Sequence, residues 1–299
     1  MSNRFKIVVT AYNCSAWLRK NLRMIERQTY RNYDVCVIDD ASTDPGQRGI
    51  IREFSERCGW KVIYNDENKG ALFNIIKGVE ALECSDDDII VQMDGDDWLF
   101  DRRVLSLLNL YYLKEDIYLT YGQYYSISHR IRGICAPIAR EDIDKKRYRQ
   151  MPWQFSALRT FKYFLWRQIR EEDLRDQDEN FFQVTWDLAF MCPMLEMAGH
   201  HIRFIPEILY TYNDLNPICD SKVRRKEQMR CHQDIRSRRP YERLLEGDHK
   251  ILALPLTARL EMAWIRTILR LKSCRIHNRR WKNLHMKWMR VSKLNTQKL

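Results

Sequence analysis

Ile89-Ile90-Val91-Gln92-Met93-Asp94-Gly95-Asp96-Asp97-Trp98-Leu99 is the stretch whose reading decides the fold. Four of its first five residues are apolar, and the run stops in three carboxylates around one glycine. That pattern reads as a buried strand whose last residues emerge at the carboxyl edge of a sheet. Open α/β sheets bind ligands at this edge. Three acids so close together repel one another unless a cation neutralises them, and hard oxygen ligands on a short turn suit Mg²⁺ or Mn²⁺ carrying substrate phosphates. A solvated acidic turn is the plain alternative; the apolar run in front of the acids favours a site.

Upstream, short strands and helices alternate. Phe5-Lys6-Ile7-Val8-Val9-Thr10 is a β-branched run ending in Ala11-Tyr12-Asn13. From Ala16 to Gln28, Trp17, Leu18, Leu22 and Ile25 recur at helical spacing, with Ser15 as the expected cap. Val35-Cys36-Val37-Ile38 is a second strand ending in Asp39-Asp40-Ala41-Ser42-Thr43-Asp44 and a Pro-Gly turn. Residues 48–58 read as a helix, Lys61 to Tyr64 as a third strand, and Asn68-Lys69-Gly70-Ala71 opens a helix running to about Leu82. This alternation predicts a mainly parallel, Rossmann-like sheet covered by helices. Downstream, Tyr118 to Tyr124 reads as another strand, and the aromatic-rich stretch from Ser156 to Ile169 as a core helix.

Composition excludes several classes. A chain of 299 residues that is 45% hydrophobic buries a full core and is not disordered. Nine scattered cysteines without a CxxC pair suggest neither a disulfide framework nor a zinc site, and fit a reducing, cytoplasmic compartment. No apolar leader or membrane-length apolar run is present, so the expectation is a soluble or peripheral protein. The net charge of +11 is localised: eleven Lys and Arg and no acid lie between Arg266 and Lys298, and the remainder is balanced. The expected organisation is a domain over 1–215 and a basic, mainly helical extension over 216–299.

Thr10-Ala11-Tyr12-Asn13, Ile38-Asp39-Asp40-Ala41-Ser42-Thr43-Asp44, Asn68-x-Gly70 with Asn74, and Asp94-Gly95-Asp96-Asp97 occur in one order and spacing. Together they resemble the family 2 glycosyltransferases with the GT-A fold, over roughly residues 4–213. The resemblance implies that Thr10, Tyr12 and Asp40 hold the nucleotide base, with Asn68 and Lys69 in the donor-binding set. Asp94 then contacts the ribose or the metal, Asp96 ligates a Mn²⁺ or Mg²⁺ ion bridging the diphosphate, and Asp97 is a substitute ligand. In some enzymes of this fold a C-terminal His adds a ligand, a role open to His232 beside the plainer one of an exposed residue in a charged run.

The resemblance also places the base that takes the acceptor hydroxyl's proton just before an apolar helix, at Asp187. The commoner family form has Glu-Asp there. This chain has Trp186-Asp187, so Asp187 stands alone, with helix N-capping as its structural alternative. Trp153 and Trp186 are the expected acceptor contacts, since aromatic faces stack on sugar rings.

The implied reaction is a metal-dependent, inverting hexosyl transfer from a nucleotide-sugar donor, UDP-sugar first, to a hydroxyl on a glycan, glycolipid or glycoprotein, or on a lipid-linked acceptor. Haloacid-dehalogenase-type phosphotransferases carry Asp-x-Asp on their first strand, and nucleotidyltransferases need a Gly-rich basic phosphate loop after it; neither matches. A catalytically inactive domain of this fold, used as a membrane or nucleic-acid adaptor through its tail, is the alternative. In that tail, Trp281, Leu284, Trp288 and Val291 share a helical face among basic residues. The readings are an anionic membrane surface met through 264–298, packing on the domain, or a protein partner; nucleic acid is not expected.

Overall fold

The computed structural model describes residues 2–217, 224–244 and 253–295, with side chains in the last helix described up to 274 and at 276. Cys219 and the tail face of Trp281, Leu284, Trp288 and Val291 lie outside the described side chains. The eight described cysteines are free thiols.

β1 (Phe5–Ala11), β2 (Tyr33–Asp39), β3 (Lys61–Tyr64) and β4 (Ile89–Asp94) pair in parallel in the order β3-β2-β1-β4. Every residue of β1 is buried because both faces are covered. Phe5, Ile7 and Val9 join a core with Leu18, Leu22 and Ile25 of α1 (Ser15–Glu26), Phe54 of α2 (Gln47–Cys58) and Leu107 and Leu108 of α4 (Val104–Lys114). Val8 points the other way, into a second core with Leu72, Ile75 and Val79 of α3 (Ala71–Ala81). Strand alternation thus turns one continuous apolar run into two cores. α3 lies so close to the sheet that a Cβ on Gly78 would sit 2.5 Å from Val8 Cγ1 and 2.9 Å from Ile38 Cδ1. The expected cap of α1 is corrected: the N-cap position is Cys14, without a side-chain cap, and the Ser15 hydroxyl instead donates to Asp44.

Beyond β4 the sheet becomes mixed. β8 (Arg159–Lys162) runs antiparallel between β4 and β6 (Leu119–Ser126). β9 (Ile202–Tyr212) runs parallel to β6, while β5 (Trp98–Leu99) and β7 (Ile131–Arg132) are short antiparallel additions to β9 and β6. The helix expected over Ser156 to Ile169 is therefore wrong: the stretch holds β8 and the one-turn α6 (Tyr163–Trp166). Thr160 bonds Thr120 (2.6 Å) and Tyr112 (2.9 Å) through its hydroxyl, and Lys162 N–H donates to Tyr118 O (2.8 Å). A gap between two strands overrides a helix-like spacing of aromatics. Phe155 and Phe161 are core, whereas Trp153 is only partly buried.

α5 (Arg140–Asp144) precedes β8 in the chain, and the almost wholly buried α7 (Trp186–Ala198) fills the second core. α8 (Arg225–Ser237) packs on α7 through Cys231 and Ile235. α9 (Leu256–Asn295) begins on the first core with Met262, Ile265 and Leu269. It is fixed there by Arg266 and Arg270, which pair with the buried Glu207 at 2.7 and 3.2 Å. No helix among the described residues is long and apolar enough to cross a membrane.

Candidate active site

The register Thr10↔Asp94 and Ala11↔Asp39 brings the ends of three strands level, so the acid-rich turns after β2 and β4 share one edge with the polar turn after β1. Gly95 N–H donates to Thr10 O (2.8 Å), and a Cβ at Gly95 would lie 2.9 Å from Ala11 Cβ and 3.0 Å from Cys14 Sγ. Only glycine lets the acidic turn approach β1 this closely. Asn21 Nδ2 fastens the turn from α1, donating to Asp94 O (2.8 Å) and Asp97 O (2.7 Å).

The three acids have different partners. Asp94 Oδ1 accepts from Gln92 Nε2 (2.9 Å), and Asp96 Oδ2 from Asn216 Nδ2 (2.7 Å). Asp97 is 1% exposed; its Oδ1 accepts the Asn213 N–H (2.7 Å), and it also bonds the Tyr210 hydroxyl. Burial raises the pKa of all three, and at Asp94 and Asp97 the negative charge of Asp96 adds to it. Among the described residues no three His, Cys, Asp or Glu side chains gather to hold an ion by themselves. The donor set nevertheless fits Mg²⁺ or Mn²⁺, which are held by one or two carboxylates and completed by substrate phosphates and water. The mutual repulsion of these acids is what such an ion relieves.

Asp40 is 3% exposed. Its Oδ1 accepts Lys69 N–H and Asn65 Nδ2, both at 2.8 Å, and its Oδ2 accepts Gly70 N–H at 2.9 Å. It thereby ties down the 65–70 loop and keeps one Oδ2 lone pair. Tyr12 and Asn68 line the adjoining cavity. The Lys69 side chain does not; it pairs with Glu67.

Asp187 lies in the first turn of α7 and is not its N-cap, a place taken by Thr185 in left-handed backbone (φ 58°). Oδ1 accepts its neighbour's N–H, from Leu188 (2.9 Å), and Oδ2 accepts Arg159 Nη2 (2.6 Å). The Arg159 guanidinium carbon lies 6.0 and 5.9 Å from the rings of Trp153 and Trp186. His232 reaches the same space from α8, accepting from Arg236 Nε through Nε2 (3.3 Å), and its pKa is lowered by burial and by Arg236. Arg224 and Arg225 also face the cavity, whereas Arg236 and Arg238 are fastened to backbone carbonyls of Met151 and Arg175.

One cavity of about 970 Å³ thus joins Thr10, Tyr12, Asp40, Asn68, Asp94, Asp96 and Asp97 to Trp153, Trp186, Asp187 and His232. Of the sequence-derived candidates, only the Lys69 side chain stays outside it. The sequence reading left out Gln92, Arg159 and Asn216. Gln92 carried a signal, being the one polar residue inside the apolar run from Ile89 to Met93. Arg159 carried none among 51 basic residues.

The model of glycosyl transferase family 2 matches residues 6–170, more than half of the chain, and the chain belongs to that family. Curated relatives match at 27% to 31% identity, and the chain spans only 18% to 46% of their own length. They include the Escherichia coli UDP-Glc:alpha-D-GlcNAc-diphosphoundecaprenol beta-1,3-glucosyltransferase WfgD, 29% identical over 126 residues, which are 41% of this chain and 46% of WfgD. Among solved structures, S. aureus TarS 1-349 in complex with UDP-GlcNAc is similar with a TM-score of 0.53 and 15% identity, covering 78% of this chain and 66% of that one. The mannosyltransferase PcManGT from Pyrobaculum calidifontis, in complex with GDP-Man and Mn²⁺, gives a TM-score of 0.52 and 15% identity over 92% of this chain and 74% of that one. These likenesses establish the GT-A fold.

Proposed function

We propose that this member of glycosyl transferase family 2 moves one sugar from a nucleotide-sugar donor to a hydroxyl acceptor by a single displacement, with Asp187 as general base. The observation that carries the reading is the shared cavity: the acid pair at the end of β4 and Asp187 in the first turn of α7 face one space large enough for both substrates. Tyr12, Thr10, Asn68 and the free lone pair of Asp40 take the base and ribose. Uracil is favoured, in keeping with the UDP-Glc that WfgD is named for and the UDP-GlcNAc of the TarS complex. Asp94 and Asp96 would hold the divalent ion, as Mn²⁺ accompanies the donor in the PcManGT complex; the ion supplies Lewis-acid neutralisation of the departing nucleoside diphosphate.

Both Asp187 oxygens keep a lone pair beyond the bonds they make, so one can accept the acceptor's hydroxyl proton while Arg159 holds the other. Attack from the side opposite the leaving group inverts the anomeric centre. Trp153 and Trp186 offer ring faces to the acceptor sugar. Residues 1–215 form the transfer domain, and the extension over 216–299 completes it, since Asn216 and His232 face the same space.

The acceptor is a hydroxyl on a glycan or lipid-linked sugar, the latter being the kind that WfgD is named for. A seat on an anionic cytoplasmic membrane face suits that class. Leu256, Leu260, Trp264 and Leu271 share one outward helical face of α9 at 56% to 68% exposure, beside the basic run. The test is a thermal-shift and turnover screen against UDP-, GDP- and dTDP-sugars with and without Mn²⁺. One nucleotide sugar should raise the Tm in a metal-dependent way that Asp96→Ala abolishes. No shift with any donor and metal would remove the reading.

A further inference from the structure

The transfer reading leaves a buried cation to be explained. Arg159 is 5% exposed at the start of β8, and its planar fork commits three N–H directions to three fixed acceptors. Nε donates to Phe155 O (2.9 Å), Nη1 to Gln92 Oε1 (3.2 Å) and Nη2 to Asp187 Oδ2 (2.6 Å). Gln92, 1% exposed and directly across the ladder from Arg159, passes the bond on from Nε2 to Asp94 Oδ1 (2.9 Å). An unbroken buried chain, Asp187 to Arg159 to Gln92 to Asp94, therefore joins the carboxylate of α7 to the first acid of the β4 turn. Without Arg159, the hydrogen bond left to the Asp187 carboxylate among the described residues is the one to the next residue's N–H, which leaves its reach across the cavity undefined.

We propose that Arg159, seated on Gln92, is a positioning residue that holds the Asp187 carboxylate in register with Asp94, so that acceptor and donor are aligned for the displacement. This rests on Asp187 being the base. Overall stability is a poor reason for such an arrangement, because a buried ion pair gives little net stabilisation. Lysine is no substitute: a point charge on a flexible stem cannot serve Phe155 O, Gln92 and Asp187 in fixed directions.

The test is a double-mutant cycle of Arg159→Lys and Asp187→Asn, reading kcat, donor KM, donor-dependent thermal shift and Tm in the intact chain. Misplacing a catalytic group by about 1 Å costs on the order of 10²-fold in rate, so Arg159→Lys should lower kcat by about that factor with donor KM held within about twofold. In the Asp187→Asn background the same change should cost nothing further, because residues acting as a unit are not additive. Gln92→Met, which removes the seat and keeps the charge, should show the same pattern more weakly, and it serves if Arg159→Lys fails to fold. Losses that multiply with Asp187→Asn, or a donor affinity that falls together with kcat, overturn the proposal and leave the base reading standing. Full turnover in Asp187→Asn alone overturns both.

Discussion

The two sides of the cavity are built by different rules. The side made by β1, β2 and β4 comes from strand ends that the parallel register sets level, and each acidic turn is fixed by backbone of the neighbouring strand's unit: Gly95 by Thr10 at the end of β1, Asp40 by the 65–70 loop that follows β3. The side made by Trp153, Arg159, Asp187, Asn216 and His232 draws on segments far apart in the chain, tied together by side-chain bonds such as Arg159 to Asp187, Asn216 to Asp96 and Arg236 to His232. Damage to the first side should therefore spread to the whole fold, and damage to the second should stay in the site.

The sharpest way to break this comparison is packing under the strand-end side. Gly78→Val drives methyl groups into Val8 and Ile38, and should cost about 3 kcal/mol or prevent folding, as overpacking a dense core does; chemical denaturation reads it. Arg236→Met removes the bonds from α8 to Arg149 O and Met151 O. It should cost about 1–3 kcal/mol, the usual range for orphaned polar groups, and lower turnover more than its stability loss explains. Glu207→Ala releases Arg266 and Arg270, and should cost about 1.5–3 kcal/mol while kcat stays unchanged. The smallest stability effect belongs to Trp264→Glu on the outward face of α9. Tm should move by less than about 0.5 kcal/mol equivalent, while flotation with phosphatidylglycerol vesicles falls; unchanged flotation would remove the membrane seat.

The same division decided what was legible in the residues. Apolar runs placed β1, β2 and β4, the last two ending in acids, because burial on both faces leaves a signal in nearly every residue of the run. The stretch from Ser156 to Ile169 misled because its aromatics are core in either secondary structure. The gap between β4 and β6 that makes it a strand is a tertiary fact. Asp187 was legible through the family pattern, yet its partner Arg159 lies 28 residues away with no pattern linking the two. Ser15 looked like a cap by type, and the proximity of Asp44, created only when β2 docks beside β1, redirected it.

The central claim is that both sides act on one bound donor, and calorimetry of the intact protein with its identified nucleotide sugar and Mn²⁺, beside turnover of Asp187→Asn, tests it most directly. The account predicts that Asp187→Asn binds donor within about twofold of the unaltered chain while kcat falls by on the order of 10³. Turnover by Asp187→Asn at the unaltered rate, or loss of donor binding together with turnover, would contradict it.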